Sequence, residues 1–395
     1  MNRNLGLILY PLAILLMIAS AGCMTRQAQA EEKVTKMRVY IGTYTGKTSQ
    51  GIYMMDMDTS TGELSKPVLA GKYESPSFLA IHPSGKYLYA VSETAKKNEG
   101  GKLSGDVAAF AISATDGTLT FLNQQKSGGA HPCHITVDAA GKVAYLANYT
   151  GGNIESLTIG DDGKLSMPIA LIDHVGKNGP DKGRQDAAHA HSINPDPTGK
   201  YVITADLGLD RLFAYATDGK GGMTLVGPAA VLAPGNGPRH VSFHPTLKVA
   251  YCINELSSSI TVLGYETDAS KMQEKQTVGT LPAGLKVNNS TAEVLVHPSG
   301  KFVYGSNRGH DSIAVYTVDP KSGELTMQAT VPCGGKTPRN FCIDPSGKFL
   351  LVAHQDSDSV LVFKINEVTG MLEETANKVE VGKPVCIRFY SVAKK

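Results

Sequence analysis

One phrase recurs six times along the 395-residue chain, and it constrains the fold more than any other feature. It consists of an apolar strand, a Pro-Ser-Gly-Lys turn or a close variant, and an aromatic-rich strand that ends on a polar side chain. The copies occupy Leu79–Glu93, Ile135–Tyr149, Ser192–Leu207, Val241–Glu255, Val294–Arg308 and Phe341–Gln355. The lysines of successive copies are 47 to 58 residues apart. That spacing is typical of a four-stranded propeller blade with variable loops.

Two further strands follow in each copy, such as Asp106–Ser113 and then Gly117–Leu122 after a Gly-x-Leu turn. This gives six complete blades, and the chain's two ends supply a seventh. Its second, third and fourth strands are the N-terminal segments Met37–Tyr44, Gly51–Asp58 and Gly62–Pro67. Its first strand is the C-terminal segment Lys383–Tyr390. Closing the ring in this way leaves only short, protected edges. We therefore predict an all-β fold, a seven-bladed β-propeller with four-stranded blades, as a single domain over residues 37–392.

The first thirty residues resemble an export signal. A short, positively charged start is followed by the almost wholly apolar segment Leu5–Ala21, which is the layout of a secretory signal. Two processing sites compete: Ser20–Cys23 resembles a lipobox that would place a lipid on Cys23, and Ala28–Ala30 fits ordinary signal peptidase. The apolar run is short for a retained membrane anchor. We expect an exported protein of the cell envelope or periplasm, with a lipid on Cys23 as its one route to a membrane.

The charge and cysteine content of the chain argue against a nucleic-acid-binding protein, a zinc protein and a disulfide-stabilised fold. The chain has 38 basic and 36 acidic residues without a block of like charges, which disfavours a nucleic-acid surface. The cysteines beyond Cys23 are scattered and form no C-x-x-C pair, which argues against a zinc site and a disulfide framework. We predict that most of them are small core residues: Cys133, Cys252, Cys333, Cys342 and Cys386.

Comparing equivalent positions of the repeats separates scaffold from chemistry. The turn Pro, Gly and Lys recur, as does a histidine before the proline (His82, His244 and His297), and we interpret these residues as structural. Two positions vary instead. The residue six before the turn proline, or before its equivalent Ala139 in the second copy, is Ser77, Cys133, His191, Arg239, Ala292 and Arg339 in turn. The residue after the polar strand end is Glu93, Tyr149, Leu207, Glu255, Arg308 and Gln355.

Four of these variable residues, His191, Arg239, Glu255 and Arg308, fall in three successive blades. Because the first variable position opens onto the central channel, their side chains could converge at one channel mouth. A histidine, a carboxylate and two guanidinium groups suit an anionic substrate whose reaction needs proton transfer. The alternative is a solvated charge network around the rim of the channel.

The chain resembles the lactonase-type seven-bladed propellers, which include bacterial 6-phosphogluconolactonase and fungal carboxymuconate lactonizing enzyme. The resemblance covers Met37 to Tyr390. It rests on Ile41–Thr45, Pro76–Glu93, His189–Ile193, Gly237–Pro245 and Asn307–Ile313. It implies a catalytic set of His, Arg, Glu and Arg in the channel mouth, which carries over to His191, Arg239, Glu255 and Arg308.

This resemblance implies hydrolysis of a sugar lactone, foremost 6-phosphoglucono-1,5-lactone to 6-phosphogluconate. Lactone opening needs a base for water and a cation for the oxyanion. The sequence leaves the base open between Glu255 and His191. One arginine would hold the oxyanion, and the other would bind the substrate's carboxylate or phosphate with help from His310 or Arg339. We expect His189, on the loop before His191, to shape the site.

The sequence leaves other functions open. An exported enzyme would rarely meet an intracellular phosphorylated lactone, so an unphosphorylated aldonolactone is a second substrate class. The resemblance also allows lactonizing cycloisomerisation of a muconate-like diacid. A non-enzymatic binding module would need an exposed apolar patch, and the chain has no tryptophan. His189 and His191 could bind a metal, but the cationic Arg239 nearby disfavours it. We expect a monomer that acts on a small lactone, without metal or cofactor.

Overall fold

The computed structural model describes residues 36–97 and 100–390, and every regular element in these ranges is a β-strand. The strands form seven four-stranded antiparallel sheets across the described ranges. The predicted export signal at residues 1–30, with Cys23, lies outside the described residues, and so do the last two residues of the predicted domain. No helical segment of the described ranges has the length and apolarity needed to cross a membrane.

Six sheets are each built from four consecutive strands, which follow one another from the channel outward. The first two are β4 (Leu79–Ile81), β5 (Tyr87–Lys97), β6 (Leu103–Ile112), β7 (Leu119–Lys126), and β8 (Pro132–Val137), β9 (Val143–Asn148), β10 (Asn153–Ile159), β11 (Leu165–Asp173). The next two are β12 (Ala190–Pro195), β13 (Tyr201–Asp206), β14 (Arg211–Thr217), β15 (Met223–Val231), and β16 (Pro238–Phe243), β17 (Val249–Asn254), β18 (Ser259–Gly264), β19 (Gln273–Gly279). The last two are β20 (Ser290–Val296), β21 (Phe302–Arg308), β22 (Ser312–Val318), β23 (Leu325–Pro332), and β24 (Pro338–Ile343), β25 (Phe349–His354), β26 (Ser359–Ile365), β27 (Leu372–Glu380).

The seventh sheet joins the two ends of the described chain. Its order is β28 (Pro384–Tyr390), β1 (Lys36–Thr43), β2 (Gly51–Asp58) and β3 (Val68–Lys72). The innermost strands touch one another in ring order, from β4 through β8, β12, β16, β20 and β24 to β28, and β28 touches β4. The prediction of a seven-bladed propeller closed by both chain ends is therefore confirmed.

One strand of the closing blade was predicted in the wrong place. Gly62–Pro67 forms a turn in which Leu64 makes a single bridge to Met57, and the outer strand β3 begins only at Val68. Pro67 has no N–H to donate to a sheet ladder, which is why regular pairing starts after it.

The recurring residues of the repeat join neighbouring blades. A tyrosine of the second strand donates its hydroxyl to the carbonyl of the glycine in the Gly-x-Leu turn of the next blade. These pairs are Tyr40–Gly117 (2.7 Å), Tyr89–Gly163 (3.1 Å), Tyr251–Gly323 (2.8 Å) and Tyr304–Gly370 (2.8 Å). The histidines before the turn prolines reach the next blade through Nε2, in the pairs His82–Gly141 (2.8 Å), His244–Gly300 (2.9 Å) and His297–Gly347 (2.8 Å). Each such bond contributes about 1 kcal/mol net, so the structural interpretation of these histidines is confirmed.

The core lies between the blades. Tyr89, Leu88 and Val107 of one blade pack with Leu146 and Leu157 of the next. All five cysteines of the described ranges are free thiols; Cys133, Cys252, Cys333 and Cys386 are buried and Cys342 is half-buried. The prediction that most of them are core residues is confirmed.

Candidate active site

The first variable position of the repeat is a β-bulge. In β16, Pro238 pairs with Asn254 and His240 with Ile253, so Arg239 is left without a partner across the ladder. The same shift leaves out His191 in β12, Cys133 in β8 and Arg339 in β24. A bulge redirects a side chain out of the regular alternation. Because this residue is not paired in the ladder, sheet pairing does not restrict its type. The residue type therefore varies between blades with the chemistry of the local site.

The second variable position lies beside the bulge because of a recurring backbone bond. The N–H of Glu255 donates to the carbonyl of Gly237 at 2.7 Å, two residues before Arg239. Gly237 has a φ of +63°, and a Cβ there would lie 2.5 Å from Leu256 Cγ, so this turn needs glycine. The N–H of Tyr149 makes the equivalent bond to His131, and that of Tyr44 to Lys383. Each blade thus presents two neighbouring side chains at the same channel mouth.

Glu255 is the centre of the site. Its Oε2 accepts a hydrogen bond from Arg239 Nε at 2.9 Å and forms an ion pair with Arg308 Nη2, also at 2.9 Å, and His191 Nε2 lies 3.8 Å away. Its Oε1 accepts from Arg184 Nη2 at 2.5 Å. The side chain of Glu255 is only 4% exposed. The structure therefore brings together His191, Arg239, Glu255 and Arg308, as expected from the sequence, and adds Arg184.

Two of the arginines are also fixed by the backbone of the neighbouring blade. Arg239 donates to the carbonyl of Ala292 at 2.5 Å, and Arg308 donates to the carbonyl of Thr291 at 2.6 Å. Arg308 Nε is buried and has no hydrogen-bond partner among the described residues. Both guanidinium groups are thus held rigidly, and one of them retains a free donor.

The electrostatics of the cluster favour additional negative charge. Burial alone would raise the pKa of Glu255, but the charges of Arg308, Arg239 and Arg184 outweigh it and hold this pKa far below its usual range. Burial, and then the other arginines, lower the pKa of Arg308 to about 10 despite Glu255. Burial, Arg239, His240 and Arg339 lower the pKa of His191 well below its ordinary value, so the imidazole is neutral at physiological pH. The single negative charge of Glu255 does not neutralise the positive charges of Arg184, Arg239 and Arg308.

Arg339 lies next to this cluster with different partners. Its guanidinium lies over the Tyr44 ring, 5.5 Å from the centroid, and 4.0 Å from Glu93 Oε1. Tyr44 donates its hydroxyl to Glu93 Oε2 at 2.8 Å. Four guanidinium groups, from Arg184, Arg239, Arg308 and Arg339, therefore share the two carboxylates of Glu255 and Glu93.

His189 and His310 are placed differently from the charged cluster. Both ring nitrogens of His189 are engaged, by the Tyr149 carbonyl and by Asp186, each at 3.0 Å. Its ring stacks on Tyr149, with centroids 4.5 Å apart. His310 lies in the turn between β21 and β22, where its Nδ1 contacts Ser312 Oγ at 2.8 Å. Their predicted contact with substrate stays a prediction.

Further polar side chains on the inner strands contact Arg239 and one another, next to the Glu255 cluster. His240, next to Arg239, contacts Glu293 Oε1 through Nδ1 at 2.9 Å and lies 3.2 Å from Arg239 Nη1. Asn340 donates to Glu293 Oε2 and accepts from the N–H of Ile387 at 2.8 Å. This chain of contacts links the inner strands of several blades and fixes the orientation of Arg239.

Sequence comparison missed Arg184 and did not select Tyr149. Arg184 lies on the loop 174–189 between β11 and β12, which is 16 residues long, whereas the corresponding loops between the other blades have three to ten residues. It contacts the Tyr149 hydroxyl at 3.1 Å as well as Glu255. Tyr149 occupies the second variable position, so the signal was present for it. In the described ranges, no group of three or more His, Cys, Asp or Glu residues is arranged to hold a metal ion.

Comparison with known proteins now identifies the family. The family described as "Lactonase, 7-bladed beta-propeller" matches residues 38–389. The chain belongs to this family. A relative, the 6-phosphogluconolactonase of Bacillus subtilis, is 37% identical over 356 residues, which cover 90% of this chain and 99% of that protein.

Two solved structures of similar proteins share the whole architecture. A Bacteroides fragilis protein has a TM-score of 0.84 at 34% identity, covering 91% of this chain and 99% of the other. The periplasmic gluconolactonase of Pseudomonas aeruginosa has a TM-score of 0.82 at 29% identity, covering 90% of this chain and 99% of the other. The similarity to the lactonase family therefore extends over the full propeller.

Proposed function

We propose that this protein hydrolyses a sugar lactone that carries an anionic group. The observation that carries the proposal is the buried carboxylate of Glu255, shared by three arginines beside a neutral histidine. Ester hydrolysis needs a proton acceptor for water and cations for the developing oxyanion. Membership of the lactonase family and the similarity to a 6-phosphogluconolactonase support this choice.

In the proposed reaction, water attacks the lactone carbonyl carbon while the Glu255 carboxylate accepts a proton from it. The carbonyl oxygen becomes an oxyanion that Arg308 and Arg239 stabilise. Collapse of this intermediate breaks the bond between the carbonyl carbon and the ring oxygen. The ring oxygen leaves as a hydroxyl after taking the proton from Glu255, and the product is a hydroxy acid. His191, neutral and 3.8 Å from Glu255, orients the attacking water.

We further propose that the protein acts outside the cytoplasm. The export-signal pattern of residues 1–30 and the similarity to a periplasmic gluconolactonase support this location. Assaying the mature protein for acid release from 6-phosphoglucono-1,5-lactone and from glucono-1,5-lactone tests the reaction. Absence of hydrolysis with both lactones, together with conversion of a muconate-like diacid, would replace lactone hydrolysis with the cycloisomerase activity.

Arg308→Ala is expected to reduce kcat by about 10²- to 10³-fold, the typical cost of losing an oxyanion donor. Arg38→Ala is a suitable control, because Arg38 pairs with Asp56 within the closing blade and does not contact the Glu255 cluster. We expect the control to keep wild-type kcat. Circular dichroism on both variants checks the fold, and wild-type turnover by a folded Arg308→Ala protein would contradict the assigned role.

The pH profile of kcat/KM for glucono-1,5-lactone, which has no phosphate that titrates in this range, is expected to be flat between pH 8 and pH 5. Arginine charges lower the pKa of Glu255, and burial lowers that of His191, so neither group gains a proton as the pH falls through this range. A histidine base with an ordinary pKa near 6.5 would instead lose about thirtyfold in activity at pH 5. Initial rates in buffers of constant ionic strength distinguish these outcomes.

A further inference from the structure

We propose that Arg184 is an exchangeable clamp that binds the anionic group of the substrate and, in leaving Glu255, frees the general base. This inference rests on the proposed lactonase function and goes beyond it by assigning substrate selectivity to one loop residue. Arg184 differs from the other two arginines on Glu255 in its anchoring, its exposure and the oxygen that it occupies.

Anchoring is the first difference. Arg239 and Arg308 extend from bulges and strand ends, and each donates to a backbone carbonyl. The hydrogen-bond partners of the Arg184 guanidinium are two side-chain oxygens, Glu255 Oε1 and the Tyr149 hydroxyl. Its side chain is 41% exposed, compared with 3% for Arg239 and 13% for Arg308. Arg184 can therefore rotate toward solvent without breaking the ring of strands.

The backbone beneath Arg184 is nevertheless held in place. The N–H of Arg184 and that of Gln185 both donate to the Asp181 carbonyl, at 3.2 and 2.6 Å. The buried Gln185 side chain donates to the carbonyl of Leu207 at 2.8 Å. The loop thus presents a partly exposed side chain from a fixed backbone, which is what an exchange of partners requires.

The choice of oxygen links binding to catalysis. Glu255 Oε2 carries Arg239 and Arg308, whereas Arg184 is the only hydrogen-bond partner of Oε1 among the described residues. With three arginines, the pKa of Glu255 lies far below its usual range, and such a carboxylate is a weak base. A substrate phosphate or carboxylate that draws Arg184 away exposes Oε1 and removes one of the charges that suppress the basicity of Glu255.

The chemistry of a guanidinium group favours a phosphate or carboxylate as this partner. Its planar donors match two oxygens of either group at once. Because four guanidinium groups share two carboxylates at this mouth, an added anion finds uncompensated positive charge. A neutral lactone has no anionic group that could replace Glu255 as the partner of Arg184. Arg184 therefore stays on Glu255 Oε1, and the general base remains blocked.

The test compares Arg184→Gln with wild type on 6-phosphoglucono-1,5-lactone and glucono-1,5-lactone. We expect the ratio of kcat/KM for the phosphorylated over the unphosphorylated lactone to fall by about 10- to 100-fold, the typical loss for a hydrogen bond to a charged group. The loss should appear mainly as a raised KM for the phosphorylated lactone. Lys182→Gln is the matched control, because it removes an equal charge from an exposed position on the same loop, and it should leave the ratio unchanged.

The outcomes separate the clamp from the lactonase function itself. An equal loss on both lactones in Arg184→Gln would make Arg184 a support for Glu255 and would overturn the inference. A similar fall of the ratio in Lys182→Gln would overturn it too, because the selectivity would then reflect the general charge of the loop. Absence of hydrolysis of both lactones by the wild-type protein would overturn the lactonase function and the clamp with it, whereas the two outcomes above would overturn the clamp alone.

Discussion

Glu255→Gln is expected to lower kcat for lactone hydrolysis by about 10²- to 10⁴-fold, the range for loss of a general base. Glutamine keeps the size of the side chain and an oxygen that accepts hydrogen bonds, but it cannot take a proton from water. His191→Asn, which removes the neutral imidazole 3.8 Å from Glu255, should lose much less. Steady-state kinetics on the same lactone with both variants ranks the two candidate bases that the sequence left open.

Stability must be measured alongside, because Glu255 also neutralises buried arginines. Removing one partner of a buried ion pair commonly costs about 3–5 kcal/mol, so Glu255→Gln should unfold at a lower temperature than wild type. His191→Asn provides the comparison, since no ion pair is lost with a neutral imidazole. A folded Glu255→Gln protein within tenfold of wild-type kcat, together with a loss of 10² or more in His191→Asn, would assign the base to His191.

The repeats account for how much of the fold could be predicted from the sequence. Several copies keep the residues that join one blade to the next, such as Tyr89 with Gly163 and His82 with Gly141. These residues recur because every blade faces the same packing problem. The one misplaced strand, Gly62–Pro67, lies in the blade built from both chain ends, where the pattern of the other six had to be transferred without a complete copy.

The same comparison located much of the candidate site, because a position released from the ladder is free to vary. It identified His191 and Arg239 at bulges, and Glu255 and Arg308 beside them. It could not identify Arg184, because the loop 174–189 is longer than the corresponding loops between the other blades and the position of Arg184 has no equivalent in them. Tyr44 was missed for a related reason: it occupies the second variable position of the closing blade, which was left out of the comparison.

Glu155 could not be identified from the sequence, because no motif includes it. Its environment in the structure is nevertheless unusual. It lies on β10, paired with Leu146 and Leu171 on the flanking strands, and it is fully buried. Neither carboxyl oxygen has a hydrogen-bond partner among the described residues. Burial raises the pKa of Glu155 to about 9. The carboxyl is therefore protonated in the folded protein at neutral pH.

This protonation predicts a penalty that grows with pH. In the unfolded chain Glu155 has its ordinary pKa of 4.5, so between pH 4.5 and about 9 the folded state binds one proton more than the unfolded state. Below pH 4.5 both states are protonated and there is no penalty. Above it, the free energy of unfolding falls by about 1.4 kcal/mol per pH unit, until the folded-state pKa is passed. At pH 7 the accumulated penalty is about 3 kcal/mol.

Glu155→Gln removes this ionisation while keeping a polar group of the same size. The variant should match wild type in its free energy of unfolding at pH 4 and exceed it by about 3 kcal/mol at pH 7. Urea unfolding at several pH values measures both quantities. Glu373→Gln, on the exposed face of β27, removes an equal charge at the surface and should stay within about 0.5 kcal/mol of wild type. Equal stability of wild type and Glu155→Gln at pH 7 would mean that the buried carboxyl is stabilised as an anion, since only a compensated charge could ionise there without cost.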